Sequence, residues 1–453
     1  MAQITQRPRY HFTAPKGWIN DPNGFFFLDG WFHIFYQFNR EHTEWASPSI
    51  GHSRTRDFIR FEELPEAIVP KEKYDLSPSG GCFSGSVIKK DGKYHLLYTG
   101  SVTENGVLSQ TQNLAVSDDG IHFERYSDNP VIPCPPEGAD LNFRDPKVFE
   151  HSGKYWMVTG CRKDGVFAVF LYSSADLVSW TYKGVLCQGD GEDGTLAECP
   201  DLYPLDDGKW LLTLSPEYNA DGIRSLGIIG KADLEECRFE KLGSFPLDYG
   251  PDYYARQCYL HGERRIAFAW LNQWPWMSHY QDHGAGPEEG WCGCLGMPRE
   301  ETYEDGVLMC RPVKELDGKF RTDEGGVLHV TPEHPGVLSL SSYSFRLSIT
   351  VKRKCESGEV VMKLDPFVFH ISPEHSYVLV LPEGKNSSLI PLEKERETRL
   401  DFYFDNSVLE LFADGGRRSA SWIFRRKREK AEPEFSVFQK SCDLSYEVAY
   451  PNG

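Results

Sequence analysis

One pattern recurs five times along the first two thirds of the chain, and it constrains the fold more than any other feature. A turn carrying glycine is followed by an apolar, aromatic-rich run. It reads "DGWFHIFYQF" at Gly30, "DGKYHLLYTG" at Gly92, "SGKYWMVTG" at Gly153, "DGKWLLTLS" at Gly208 and, more weakly, "HGERRIAFAWLN" at Gly262. The glycines are spaced by 62, 61, 55 and 54 residues. Every copy but the last is followed by a second shared element, such as "SRTRDFIRFEEL" or "KADLEECRFEKL". Asp-Gly ahead of alternating apolar residues is a hairpin signal. Val, Tyr, Phe and Thr at period two exclude a helical repeat. The unit is also too long for a parallel solenoid. Hairpin-rich units of roughly 55–60 residues predict the blades of a five-bladed β-propeller, spanning residues 1–315.

Residues 316–453 lack the repeat. Short alternating strands take over, among them "SYSFRLSITVKRK", "SYVLVLP" and "LSYEVAY", with polar or Gly turns between them. They predict an antiparallel β-sandwich and an all-β protein of two domains. "FDNSVLELFADGG" reads as a hairpin with turns near Asp405-Asn406 and at Asp414-Gly415-Gly416.

The repeat also ranks the carboxylates. Asp21 lies nine residues before Gly30, Asp145 eight before Gly153 and Glu198 ten before Gly208. The other two copies place Ser84 eight before Gly92 and Tyr253 nine before Gly262. Equivalent points on the first strand of each blade converge on the axis. Asp21, Asp145 and Glu198 are therefore expected to meet in one funnel, with Ser84 and Tyr253 on its wall. Asp-Pro at Asp21 and Asp145 would, taken singly, read as turn chemistry. Three carboxylates at one phase of a repeat do not, because crowded like charges cost energy and proteins keep them mainly for chemistry. Paired carboxylates in an aromatic-lined cleft suggest glycosidic bond cleavage. No zinc motif, phosphate-binding glycine loop or G-x-S-x-G elbow supports a rival chemistry.

Charge and targeting narrow the partners. A formal net charge of −18 argues against nucleic acid and anionic membranes. No run approaches the ~18 apolar residues of a membrane span, and no secretory h-region is visible, so a cytoplasmic protein with reduced thiols is expected. Cys292-Gly293-Cys294 has no second pair at metal-site spacing. The basic run Arg425-Arg426-Lys427-Arg428 reads as a solvated hairpin or loop.

The ordered motifs "WINDPNG", "YQFN", "FSGS", "FRDPKVF", "ECPDLY", "DYYARQ" and "GWCGCLGMPRE" resemble those of glycoside hydrolase family 32, the invertases, fructosidases and sucrose-6-phosphate hydrolases. The resemblance implies a five-bladed propeller with a β-sandwich and a retaining β-fructofuranosidase. It assigns Asp21 as nucleophile, Glu198 as acid/base and Asp145 as transition-state stabiliser. Retention requires Asp21 and Glu198 about 5–5.5 Å apart, with Glu198 protonated at the start. Asn20, Gln37, Trp45, Phe83, Ser84 and Arg144 match positions that contact the fructosyl unit; Tyr253 and Trp291 join them. No cofactor or metal is implied. The sandwich is expected to be structural or an oligomer contact. Sucrose-6-phosphate hydrolase and fructosyltransferase activities use the same carboxylates, and a non-catalytic sugar-binding propeller is the rival of another class. Two segments depart from or add to the pattern. "WASPSIGHS", residues 45–53, carries Ile50 where many relatives have tryptophan, which bears on the pocket beyond the fructosyl site. The loop at residues 272–291 is rich in Trp and His, and Trp274 or Trp276 is expected to meet the leaving group.

Overall fold

The computed structural model describes residues 4–219, 222–277, 283–284, 286–352, 358–394 and 397–452. Five consecutive antiparallel sheets come first. Their opening strands are Gly17–Leu28, Gly81–Lys90, Phe143–His151, Leu196–Pro204 and Tyr254–His261. Each opening strand touches the next, and the fifth touches the first, so the five close a ring. The strand Trp291–Cys292 leaves the fifth sheet and pairs in parallel with Gly17–Leu28, fastening the ring shut.

The triple Phe25-Phe26-Phe27 explains how a sheet wedges between its neighbours. Successive side chains on a strand point to opposite faces. Phe25 packs on Tyr259 and Phe268 of the fifth sheet, each at 5.1 Å between ring centroids, and Phe26 packs on Tyr94 of the second at 4.1 Å. A strand covered on both faces must be apolar on both, which is why three consecutive aromatics are tolerated. The turns follow the glycine pattern. Asp29-Gly30, Asp91-Gly92 and Ser152-Gly153 all have positive φ at both positions, as two-residue hairpin turns matched to strand twist require.

Every opening strand is bulged at the same phase. Register shifts fall between Ile19 and Pro22, Phe83 and Gly85, Arg144 and Lys147, Glu198 and Asp201, and Tyr254 and Gln257. A bulge breaks the ladder and re-aims side chains. The freed N–H groups must be caught elsewhere, and the preceding sheet catches them. Asp145, Cys199 and Ala255 take φ of 63°, 45° and 55°. Their N–H groups donate to Thr99 Oγ1 (3.0 Å), Asp145 Oδ2 (2.8 Å) and Ser215 Oγ (2.8 Å).

The fifth sheet ends at Pro312, and two six-stranded sheets begin with Phe320–Val330. They face each other over one core holding Phe345, Phe367, Phe369, Phe402 and Trp422, and form a β-sandwich. The "FDNSVLELFADGG" hairpin turns at Asn406-Ser407 and docks on the ring through a wholly buried ionic cluster. His11 Nδ1 lies 2.9 Å from Asp405 Oδ2 and its Nε2 lies 3.1 Å from Glu410 Oε1. Arg299 links Glu410 at 2.5 Å to Asp248 at 2.9 Å.

Two expectations are corrected here. The basic run is a loop, but Arg426 is 9% exposed, and its Nη2 donates to the carbonyl of Thr5 at 2.8 Å. Arg426 alone clamps the N-terminal segment; Arg425, Lys427 and Arg428 are exposed, as expected. Cys442 is disulfide-bonded, against the expectation of reduced thiols throughout. Among the described residues no helix is long and apolar enough to cross a membrane.

Candidate active site

The first four bulges aim side chains into a cleft of about 350 Å³. Nine of the eleven expected residues line it: Asn20, Asp21, Gln37, Trp45, Phe83, Ser84, Arg144, Asp145 and Glu198. Trp45 and Phe83 meet edge to face at 5.8 Å, forming an apolar wall. Trp274 and Trp276 also line the cleft; residues 278–282 and 285 of their loop lie outside the described residues. Ile50 is fully buried against the second sheet and shapes no wall directly.

The three carboxylates differ in their partners. Asp21 Oδ2 accepts from Ser84 Oγ at 2.7 Å, and its Oδ1 accepts from Asn20 Nδ2 at 3.1 Å. Burial, with Glu198 facing it, lifts its pKa to about 6 against these donors. Asp145 takes the Cys199 N–H. Burial raises it to about 7; Arg144 opposes the rise, while Glu198 and Asp21 add to it. Glu198 is held at both oxygens. Arg144 Nε and Nη2 donate to Oε1 at 3.1 and 2.7 Å, and the Tyr254 hydroxyl donates to Oε2. Gln37 donates its amide to the Cys82 carbonyl at 2.9 Å, which leaves its oxygen to accept a ligand hydroxyl.

Two expected residues do not reach the cleft. Tyr253 is buried beneath Arg299, whose guanidinium lies 4.0 Å from the ring centroid. Gly262 opens its two-residue turn, whereas Gly30, Gly92 and Gly153 close theirs, so counting back from it lands on the wrong side chain. Tyr254 holds the slot that Arg144 and Glu198 hold in their sheets, the last paired residue before the bulge. Trp291 is spent on the ring closure: its Nε1 donates to Glu289 at 3.1 Å, and Arg7 covers its ring at 5.1 Å.

A fourth carboxylate, Glu217, also lines the cleft. It lies 3.2 Å from Arg144 Nη2 and 3.6 Å from Arg162 Nη2. Burial and then Glu198 raise it to about 7, with both arginines opposing. Glu217 closes the second strand of its sheet, as Gln37 and Ser101 lie toward the cleft end of theirs. Polar residues at that end of an apolar strand were the available signal.

The family model for the N-terminal domain of glycosyl hydrolases family 32 matches residues 11–312. A sucrose-6-phosphate hydrolase of Escherichia coli is 34% identical over 93% of this chain and 90% of its own length. A raffinose invertase of Escherichia coli is 34% identical over 70% of this chain and 67% of its own. The solved β-fructofuranosidase of Bombyx mori superposes with a TM-score of 0.86 at 28% identity, covering 99% of this chain and 95% of that one. On the matched domain and on these relatives, the chain belongs to glycoside hydrolase family 32.

Proposed function

We propose that this enzyme is a retaining β-fructofuranosidase that releases terminal non-reducing fructosyl units from sucrose and short fructo-oligosaccharides. The five ring sheets are read as the blades of a five-bladed propeller. The reading rests on one observation: carboxylates with different partners face one cleft. Asp21 meets only neutral donors and attacks the anomeric carbon. Glu198, oriented by Arg144 and Tyr254, gives its proton to the glycosidic oxygen as that bond breaks. The sugar leaves as an alcohol, and a fructosyl ester remains on Asp21. Water then adds to the anomeric carbon, Glu198 takes its proton, and Asp21 departs as a carboxylate. Asp145 faces the oxocarbenium-like charge that develops in both steps. The names of the Escherichia coli relatives and a Bombyx mori variant solved with sucrose support the substrate class.

Stereochemistry tests the mechanism. Fructose sampled by NMR in the first seconds of turnover is expected to be the β-anomer. An α-anomer would mean direct attack by water and would remove the ester.

The carboxyl cluster sets an acid limb. Asp21 must be ionised to attack, so kcat/KM is expected to fall below about pH 6. The observed value belongs to the coupled cluster. Ser84 stabilises the ionised form of Asp21, so Ser84→Ala should move the limb to higher pH. A pH profile of kcat/KM with an unmoved limb would assign the titration to another group.

A further inference from the structure

Whatever leaves from this site must carry the oxygen that Glu198 protonates, so the leaving group lies on the Glu198 side of the cleft. Glu198 pairs with Ser215 across the strands, and Glu217 is two residues further along, toward the cleft end. Past Glu217 the strand ends at Tyr218, whose φ of 54° turns the chain. That conformation is uncommon for a bulky residue and tends to occur at functional sites. The Tyr218 ring stays 58% exposed and meets Trp276 at 5.2 Å. Trp276 in turn stands 6.2 Å from Tyr254, the partner of Glu198.

An exposed tyrosine on a half-buried tryptophan, beside a carboxylate, suits a neutral sugar: the rings take its C–H face and the carboxylate its hydroxyls. It does not suit a phosphate, which is bound by arginine or lysine free to donate to it. Among the described residues lining the cleft, Arg144 is the one cation, against Asp21, Asp145, Glu198 and Glu217. Arg162, just behind, also faces Glu217.

Resting on the hydrolase reading above, we infer that Glu217, with Trp276 and Tyr218, selects an uncharged sugar as leaving group and disfavours a phosphorylated one. Above about pH 7, where Glu217 is ionised, two like charges about 6 Å apart at an effective dielectric near 20 repel strongly enough to change a rate roughly 100-fold. Exposure at the rim reduces this.

The test compares kcat/KM for sucrose and sucrose 6-phosphate at fixed ionic strength and about pH 8, where Glu217 is ionised. The native enzyme is expected to favour sucrose at least tenfold, and added salt should narrow the gap. Glu217→Gln keeps the shape and the hydrogen-bonding oxygen but removes the charge. It should shrink the preference about tenfold by improving the phosphorylated substrate relative to sucrose. A native preference for sucrose 6-phosphate overturns the inference, and so does a Glu217→Gln variant that slows both substrates in parallel. Should that variant not fold, the native ratio and its salt dependence still decide the matter. Release of fructose from neither substrate would instead strike the hydrolase reading itself.

Discussion

Asp21→Asn is expected to lower kcat/KM on sucrose by about 10⁴-fold or more while making the protein more stable. The loss follows from chemistry, since an amide cannot form the ester, and removing a nucleophile from a concerted set costs on the order of 10⁴–10⁶. The gain follows from linkage. The folded pKa of Asp21 is raised from 3.8 to about 6. A carboxyl raised on folding disfavours the folded state wherever it is ionised. The penalty is absent below pH 3.8, grows through pH 6 and is complete above it. At pH 7 it is on the order of 2–3 kcal/mol, which the neutral amide removes. Stability rising as activity disappears would mark a strained functional group. Glu198→Gln supplies the complementary result. Given an activated fructosyl donor, it should accumulate one fructosyl unit on Asp21, visible by intact-protein mass. Undiminished turnover by Asp21→Asn, or no adduct on Glu198→Gln, would take the nucleophile role from Asp21.

How far the sequence discloses the cleft depends on where each residue sits relative to a turn. Asp-Gly and Ser-Gly dictate tight hairpins because both turn residues need positive φ, so copies one to three can be aligned by counting. Gly208 lies in a longer loop between strands ending at Pro204 and starting at Trp210, and Gly262 occupies the other turn position. Counting therefore reaches Glu198 only at a different offset and misses Tyr254 by one. Bulges add a further residue that no period-two pattern reveals. Glu217 belongs to a second strand, outside every motif. The apolar runs, by contrast, foretell sheets covered on both faces, as the opposed packing of Phe25 and Phe26 makes plain. The motif resemblance carries Trp291 along with its neighbours, yet its side chain closes the ring instead of lining the cleft.

Least visible of all is the joint between ring and sandwich. His11 and Asp405 are 394 positions apart, and nothing local marks either as half of a pair. Once folded, Asp405 accepts the N–H groups of Arg9, Tyr10 and His11 at 2.7 to 2.9 Å, and Ser344 Oγ at 2.8 Å. A buried carboxylate with so many donors is held ionised, below its usual range. The same residue positions the N-terminal segment that leads into "WINDPNG".

Arg299→Met is accordingly expected to cost about 3–5 kcal/mol, because it strands Asp248 as a buried charge without its cation and leaves Glu410 with His11 alone. The methionine fills part of the space above Tyr253 but offers no donor. The pH dependence identifies the cause. His11 is raised from 6.5 to about 9: burial opposes its charge, but bonds to Asp405 and Glu410 prevail. Its contribution is full below pH 6.5 and is lost as pH rises through 9. Glu410 is lowered from 4.5 to about 2; burial works against ionisation, and Arg299 and His11 overcome it. Its contribution is present above pH 4.5 and lost as pH falls through 2. The joint should therefore be strongest between about pH 4.5 and 6.5. Denaturant unfolding of the native chain should weaken from pH 6.5 to 9, and His11→Gln should flatten that decline. Arg299→Met should lower the midpoint at every pH in the window, while kcat on sucrose under folded conditions stays within about twofold, since no cleft residue is touched. Midpoints equal to the native protein throughout would show that Arg299 is not what holds the ring and the sandwich together.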